Sequence, residues 1–251
     1  MDKYSIVIPG RLASTRLPGK MLKILGGKPV IQHTIEHALQ VRNCQQVYVV
    51  TDSEVIVNLA QSLGVEAFLT TPECRSGTER IVSVLDQLQG DWIFNIQGDE
   101  PFVDPRFIEE MIDYSRTIEA DLLTPVYRLK KQEDIFNPNI VKAVVDNSKN
   151  ALYFSRSPIP FVRDEVPENW LNEFTFWGHL GIYGFRRSLL EHYSSLQPSA
   201  LEKAESLEQL RFLSYGYRIA TYEAPGRSVA IDTPEDLVKA EALLKEQSIS
   251  R

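Results

Sequence analysis

Between residues 6 and 69 short β-branched apolar runs alternate with amphipathic helical stretches, and this alternation leaves few folds open to the chain. Ile6-Val7-Ile8 predicts a buried strand, ended by Pro9 because proline has no N–H for a ladder. Pro29 opens a helix at its first position, and Ile31, Ile35, Ala38 and Leu39 give it an apolar stripe to about Val41. Val47 to Val50 predicts a second strand. Thr51-Asp52-Ser53 then caps a helix carrying Val55, Ile56, Leu59, Ala60 and Leu63, Gly64 stops it, and 65–69 forms a third strand. Strand, helix, strand, helix, strand is the order of an α/β fold with a parallel sheet, and such sheets bind ligands beyond the carboxyl ends of their strands. With 251 residues, 43% of them apolar, the chain can build a sizeable core in one domain or two small ones.

The first strand end carries an unusual loop. From Gly10 to Lys20 it holds two glycines, the hydroxyls of Ser14 and Thr15, and the cations Arg11, Arg16 and Lys20. No Asp or Glu occurs between Asp2 and Glu36, although the formal net charge is −7. Guanidinium forks, free backbone N–H groups and an ammonium suit phosphate oxygens. The loop is not a Walker motif, since Met21 follows Gly19-Lys20, and it is not GxGxxG. A solvated basic loop accounts for the same residues, so the loop alone leaves both readings open. The acidic balance argues against non-specific nucleic-acid binding as the main task, so phosphate affinity has to be local. Cys44 and Cys74 share no metal or redox spacing. No signal peptide or membrane-length apolar run is present, and the expectation is a soluble cytoplasmic protein in a reduced compartment.

Further signals follow along the chain. His33 and His37 fit an H-x-x-E-H pattern, but each lies two residues, about 200°, from apolar Ile35, which turns the pair toward solvent rather than a cleft. Ser76 with Glu79 predicts a capping box, and a helix start beside Gly77 and flanking arginines also suits an anion or a base edge. The strand Trp92 to Ile96 runs into Gln97-Gly98-Asp99-Glu100, where carboxylates at a strand end suit Mg²⁺. An acidic turn before a helix capped by Asp104-Pro105 explains the same residues. Beyond about Asp121 extended segments dominate (122–129, 140–146, 151–155 and 178–185), with few helical signals before Ser188. This predicts an antiparallel addition to the parallel core, in which 163–176 is irregular and suited to a mobile loop, and which suits a dimer interface. Ser199 and Glu202 start a helix running through Leu207, Leu210, Phe212 and Leu213. Residues 217–222 and 228–231 read as strands, and Thr233-Pro234 starts the last helix. Asp232 then ends a strand as Asp99 does, and the two share a metal if their strands are neighbours. His179 and Tyr183, four apart, face one side of a single strand, as core residues or as site residues; Glu208 lies within reach of Arg211 on a helix.

Several of these segments recur together and in order: Ile8 to Lys20, Ser76 to Arg80, Asn95 to Pro101, Phe136 to Asn139, Ala151 to Arg156, His179-Leu180-Gly181-Ile182-Tyr183-Gly184, Leu207 to Arg211 and Asp232 to Asp236. Together they closely resemble the 3-deoxy-D-manno-octulosonate (Kdo) cytidylyltransferase family over nearly the whole chain. The resemblance implies a Rossmann-like nucleotidyltransferase core (about 1–120 and 215–251) with a sugar-binding and dimerisation extension (about 121–214), in one domain of a cytoplasmic homodimer. It implies Mg²⁺-dependent cytidylyl transfer from CTP to Kdo with release of pyrophosphate, activating Kdo for lipopolysaccharide synthesis. It would place Arg11, Ser14, Arg16 and Lys20 on the CTP phosphates and Ser76, Gly77, Thr78 and Gln97 at cytidine. Asp99 and Asp232 would hold the metal, with Lys20 as the third catalytic residue. Arg156, Arg163, His179, Tyr183, Glu208 and Gln209 would line the sugar pocket. The chain departs from the usual family pattern at Gly10, Leu12, Met21 and Arg75, where Ala, Tyr, Pro and Gln are common. A cytidylyltransferase for another acidic sugar (8-amino-Kdo or sialic acid), a non-catalytic nucleotide-binding protein and a glycosyltransferase with a related core stay open as alternatives.

Overall fold

β1 (Tyr4–Gly10) is buried along its whole length, as its apolar run requires. In the computed structural model residues 2–14 and 16–249 are described, 247–249 by backbone alone. Pro9 does not end β1: it pairs in register with Val50. Alternate residues of a parallel strand bond to opposite neighbours. Pro9 faces the side on which the neighbouring strand has already run out, and its carbonyl accepts Gly98 N–H at 3.2 Å, so its missing N–H costs no ladder bond. A short hairpin follows, β2 (Ile24–Leu25) with β3 (Lys28–Pro29), leading into α1 (Val30–Ala38). Pro29 is thus the residue before the helix rather than its first. Next come β4 (Gln46–Thr51), α2 (Glu54–Ser62), β5 (Glu66–Leu69), α3 (Gly77–Val82), β6 (Trp92–Asn95) and α4 (Pro105–Ser115). β5, β4, β1 and β6 lie side by side in that order, all parallel. His33 Nε2 bonds the Leu25 carbonyl at 2.8 Å, and His37 lines a cavity of about 610 Å³ rather than facing open solvent.

The remaining strands belong to a second compact unit, residues 114–227, inserted into the first, 1–113 with 228–251. It runs β7 (Leu122–Arg128), α5 (Gln132–Phe136), β8 (Lys142–Val145), β9 (Ala151–Ser155), α6 (Trp170–Glu173), β10 (Trp177–His179), β11 (Tyr183–Arg186), α7 (Arg187–His192), α8 (Ala200–Glu205), α9 (Gln209–Ser214) and β12 (Ile219–Glu223). β10 is antiparallel to β7 and β8, β8 to β9, and β11 to β7; β12 pairs with β7 in parallel.

Four expectations fail in this unit. The stretch 178–185 is two strands, not one: residues 180–183 stand opposite only Thr124 and Pro125, and the Thr124 hydroxyl bonds the Ile182 carbonyl at 2.8 Å inside the break. α5 is a helix before Ser188 that the sequence reading lacked. Segment 163–176 is not irregular throughout: α6 forms at Trp170, which is buried, stacks on Phe176 at 5.8 Å and meets Phe136 and Phe161, while 163–169 are exposed. The helix expected from Ser199 breaks at Ser206, which takes φ 52°, so that α9 folds back and Arg211 meets Glu202.

The chain then returns to the first unit. Residues 228–231 form no strand, and α10 (Pro234–Ile249) closes the fold. Ile231 and Ala240 are buried against Leu17, Leu25 and Val30, with Leu237 and Leu244 beside them.

Candidate functional site

In the first unit the basic loop is shaped by its neighbours. Gly19 takes φ 64°, a left-handed turn that glycine adopts freely, and this starts the single helical turn Lys20–Leu22 that buries Lys20. Leu17, one residue from Arg16, is buried in the same core as Ile231, one residue from Asp232. These two apolar anchors hold their charged neighbours together: Arg16 reaches Asp232 at 2.9 Å. Asp99 follows β6 in a turn, and its carbonyl accepts Ile231 N–H at 2.9 Å, which brings the two carboxylates side by side without a strand at 228–231. The Lys20 ammonium donates to both, to Asp99 Oδ2 and to Asp232 Oδ1, the latter at 2.8 Å. Burial alone would lower the Lys20 pKa; the carboxylates, Asp99 foremost, outweigh it and hold it above its ordinary value. Burial would likewise raise Asp232, but Lys20 and Arg16 bring it below the usual carboxylate range. Glu100 does not join the pair: it is buried, takes the Ser228 hydroxyl at 2.6 Å, and burial pushes it up to about 7.

Beside this cluster lies a cavity of about 170 Å³ whose walls include Arg11, Lys20, Ser76, Gly77, Gln97 and Asp99. A Cβ on Gly77 would come within 3.0 Å of Pro9 and 3.1 Å of the Gln97 amide, so any larger residue would have to push these neighbours aside for α3 to start this close to β1. Ser76 accepts Glu79 N–H at 3.1 Å as the N-cap, and the Glu79 carboxylate takes the backbone N–H of Arg75 at 2.8 Å together with its guanidinium. Arg75 is thereby held at the cavity wall. Thr78 is buried, and Ser14 is half-buried in the loop. Two supporting carboxylates were missed. Asp52, read as a helix cap, accepts Leu12 N–H at 2.9 Å and pairs with buried Arg80 at 3.2 Å, which ties the loop to α3. Asp236 accepts the N–H groups of Asp232 and Thr233 at 3.2 and 3.0 Å, while Thr233 caps Asp236 N–H at 3.2 Å. The D-T-P-E-D run held that signal, since an acid three residues after a Thr cap can reach back.

In the second unit the residues expected at a sugar pocket fall into two groups. His179 and Tyr183 sit on different strands, yet the break between them brings their rings to 5.5 Å. His179 Nε2 lies 2.9 Å from the Thr124 hydroxyl. That hydroxyl has one proton, directed at the Ile182 carbonyl, so it accepts from His179 Nε2–H and leaves Nδ1 as an acceptor. Burial lowers the His179 pKa to about 3 and keeps it neutral. Tyr183 OH donates to Gln209 Oε1 at 3.2 Å, and burial and then the Glu208 charge raise its pKa. Gln209 Nε2 is buried with no partner among the described residues. Glu208 accepts the Tyr193 hydroxyl. Arg156 instead spends its guanidinium on the carbonyls of Glu205 (2.8 Å) and Pro138 (3.0 Å). Arg163 is about nine-tenths exposed beside Asp164.

The profile of the family described as cytidylyltransferase matches residues 5–219. The chain belongs to the cytidylyltransferase family. Its relatives include the 3-deoxy-manno-octulosonate cytidylyltransferases of Thermodesulfovibrio yellowstonii, 40% identical over 96% of this chain and 98% of that one, and of Escherichia coli, 40% identical over 98% of each. Among solved structures, CMP:2-keto-3-deoxy-manno-octonic acid synthetase complexed with CTP superposes with a TM-score of 0.91 at 39% identity, covering 98% of this chain and 99% of that one. The chain is therefore a nucleotidyltransferase, and its mostly parallel sheet with antiparallel strands is the fold of that enzyme. In the first unit the Asp99–Asp232 pair could hold a metal ion. Among the described residues no group of three or more His, Cys, Asp or Glu could do so. Two hard carboxylate oxygens that already converge on one cation fit Mg²⁺, which completes its shell with water and substrate phosphates.

Proposed function

We propose that the protein transfers a cytidylyl group from CTP to Kdo, giving CMP-Kdo and pyrophosphate. The observation that carries this reading is the meeting of Asp99, Asp232 and Lys20 at the carboxyl end of the parallel sheet, beside a cavity walled by the basic loop and the start of α3. Arg11, Ser14, Arg16 and Lys20 hold the phosphates, and Ser76, Gly77, Thr78 and Gln97 take the cytidine. Asp99 and Asp232 hold Mg²⁺, which when bound polarises the α-phosphate and favours ionisation of the attacking hydroxyl. The anomeric hydroxyl of Kdo attacks the α-phosphorus in line with the departing pyrophosphate. No side chain serves as a covalent nucleophile, so catalysis rests on positioning and on cations facing the charge that develops on the phosphoryl oxygens. His179 Nδ1, Gln209 Nε2, Tyr183 and Glu208 offer the acceptors and donors a polyhydroxy acid needs, and Arg156 and Arg163 supply cations for its carboxylate. The product serves lipopolysaccharide synthesis, in the cytoplasm, from a homodimer of single-domain chains; among the described residues no helix is long and apolar enough to cross a membrane.

The test is pyrophosphate release from CTP and Mg²⁺ with Kdo, 8-amino-Kdo or sialic acid in turn, repeated with Asp99→Ala. Release that requires Kdo and falls at least a hundredfold in the variant supports the proposal. Release with another of these sugars alone would overturn the substrate, and a covalent nucleotidyl-enzyme trapped during turnover would overturn the mechanism.

A further inference from the structure

The Lys20 ammonium stands where a metal ion would stand. It bridges Asp99 Oδ2 and Asp232 Oδ1 in a site where the Lys20 side chain is 9% exposed and that of Asp99 13%. The other Asp232 oxygen takes Arg16 at 2.9 Å. The two carboxylates are thus matched by two cations, and Glu100, although it feels all three of Asp99, Asp232 and Lys20, is turned away to Ser228. A divalent cation entering this arrangement meets no charge deficit and is repelled by an ammonium at contact distance, little screened by water. A polyphosphate changes the balance, because it brings several negative charges for the displaced ammonium to meet. Lys20 suits such an exchange: its charge sits at the end of a flexible four-carbon stem, while its backbone is fixed in the turn after Gly19.

We propose that Lys20 is the resident counter-ion of the Asp99–Asp232 pair and gates metal entry: a divalent cation takes the pair only as the ammonium swings out to the nucleotide's phosphates. Metal and nucleotide then load together, each raising the other's affinity by the same factor. The inference rests on the reading of Asp99 and Asp232 as metal ligands given above.

Mn²⁺ is the probe, with free ion measured by electron paramagnetic resonance on the full chain without nucleotide. Lys20→Met is expected to bind one Mn²⁺ at least tenfold tighter than the parent protein, and the gain is expected to vanish in Lys20→Met/Asp99→Asn. A Lys20→Met variant that binds Mn²⁺ no tighter than the parent overturns the gate. In that event Mn²⁺ uptake in the presence of CTP separates the two readings. A loss in Asp99→Asn leaves the metal pair standing, and no loss removes it as well. A gain that survives Asp99→Asn overturns both. Circular dichroism checks that Lys20→Met folds. Acetic anhydride labelling of the parent protein gives a second readout that needs no variant. Without nucleotide, Mn²⁺ at a concentration that half-saturates the protein in the presence of CTP is expected to leave Lys20 acetylation unchanged, because the ammonium stays on the pair, and labelling raised severalfold overturns the gate.

Discussion

A neutral imidazole under burial makes His179 sensitive to acid. Between the ordinary histidine value of 6.5 and about 3, the unfolded chain takes up a proton that the native chain refuses. This contribution to stability is therefore complete above pH 6.5 and is lost as the pH falls through that window. Urea unfolding is expected to show about 2 kcal/mol less acid destabilisation at pH 5, relative to pH 7, in His179→Gln than in the parent; equal pH slopes would refute the neutral assignment. Asp236 is the second residue-scale case. It is placed on neither substrate nor metal, yet it fixes the backbone at Asp232 and Thr233 by accepting one N–H from each. Asp236→Ala is expected to lower stability by about 1 kcal/mol, the usual cost of a lost helix cap. It is also expected to raise the Mg²⁺ concentration needed for half-maximal activity, whereas a merely structural cap would leave that concentration unchanged.

At the scale of elements, the parallel strands and their helices were legible because each buries one face, and burial writes itself into the sequence as a period. The breaks were not legible, because a break is made by a partner distant in sequence. Nothing in 178–185 announces that Thr124 occupies a gap between two strands. Nothing in 199–213 announces that Glu202 and Arg211 pair at 2.8 Å across a turn. The site shows the same division. Gly77, Ser76 and Asp99 were readable from local chemistry, while the link from Asp99 to Ile231, which makes neighbours of two carboxylates, spans most of the chain. The contacts of Arg156 with the carbonyls of Glu205 and Pro138 were not legible either, since both partners lie far from it in sequence. The α8–α9 turn gives an element-scale prediction. Ser206 holds a positive φ that suits glycine, so Ser206→Gly is expected to be neutral or stabilising by up to about 1 kcal/mol, and Ser206→Val destabilising, by thermal denaturation.

At the scale of the whole molecule, the proposed homodimer predicts a sedimentation mass near twice 28.6 kDa at micromolar concentration; a species of single mass would remove it. The order of residues along the chain also sets a schedule for biosynthesis. The first unit is interrupted at residue 113 and resumes only at 228. When Lys20, Leu17, Leu25 and Val30 leave the ribosome, Ile231, Asp232 and Ala240 have not yet been made. The nascent chain therefore carries an open apolar face and a lysine with half of its anionic partners through the synthesis of more than a hundred residues. The opening loop waits for the final helix, so a message cut short before codon 232 yields a polypeptide that has every cation of that loop and lacks the carboxylate on which Arg16 and Lys20 converge.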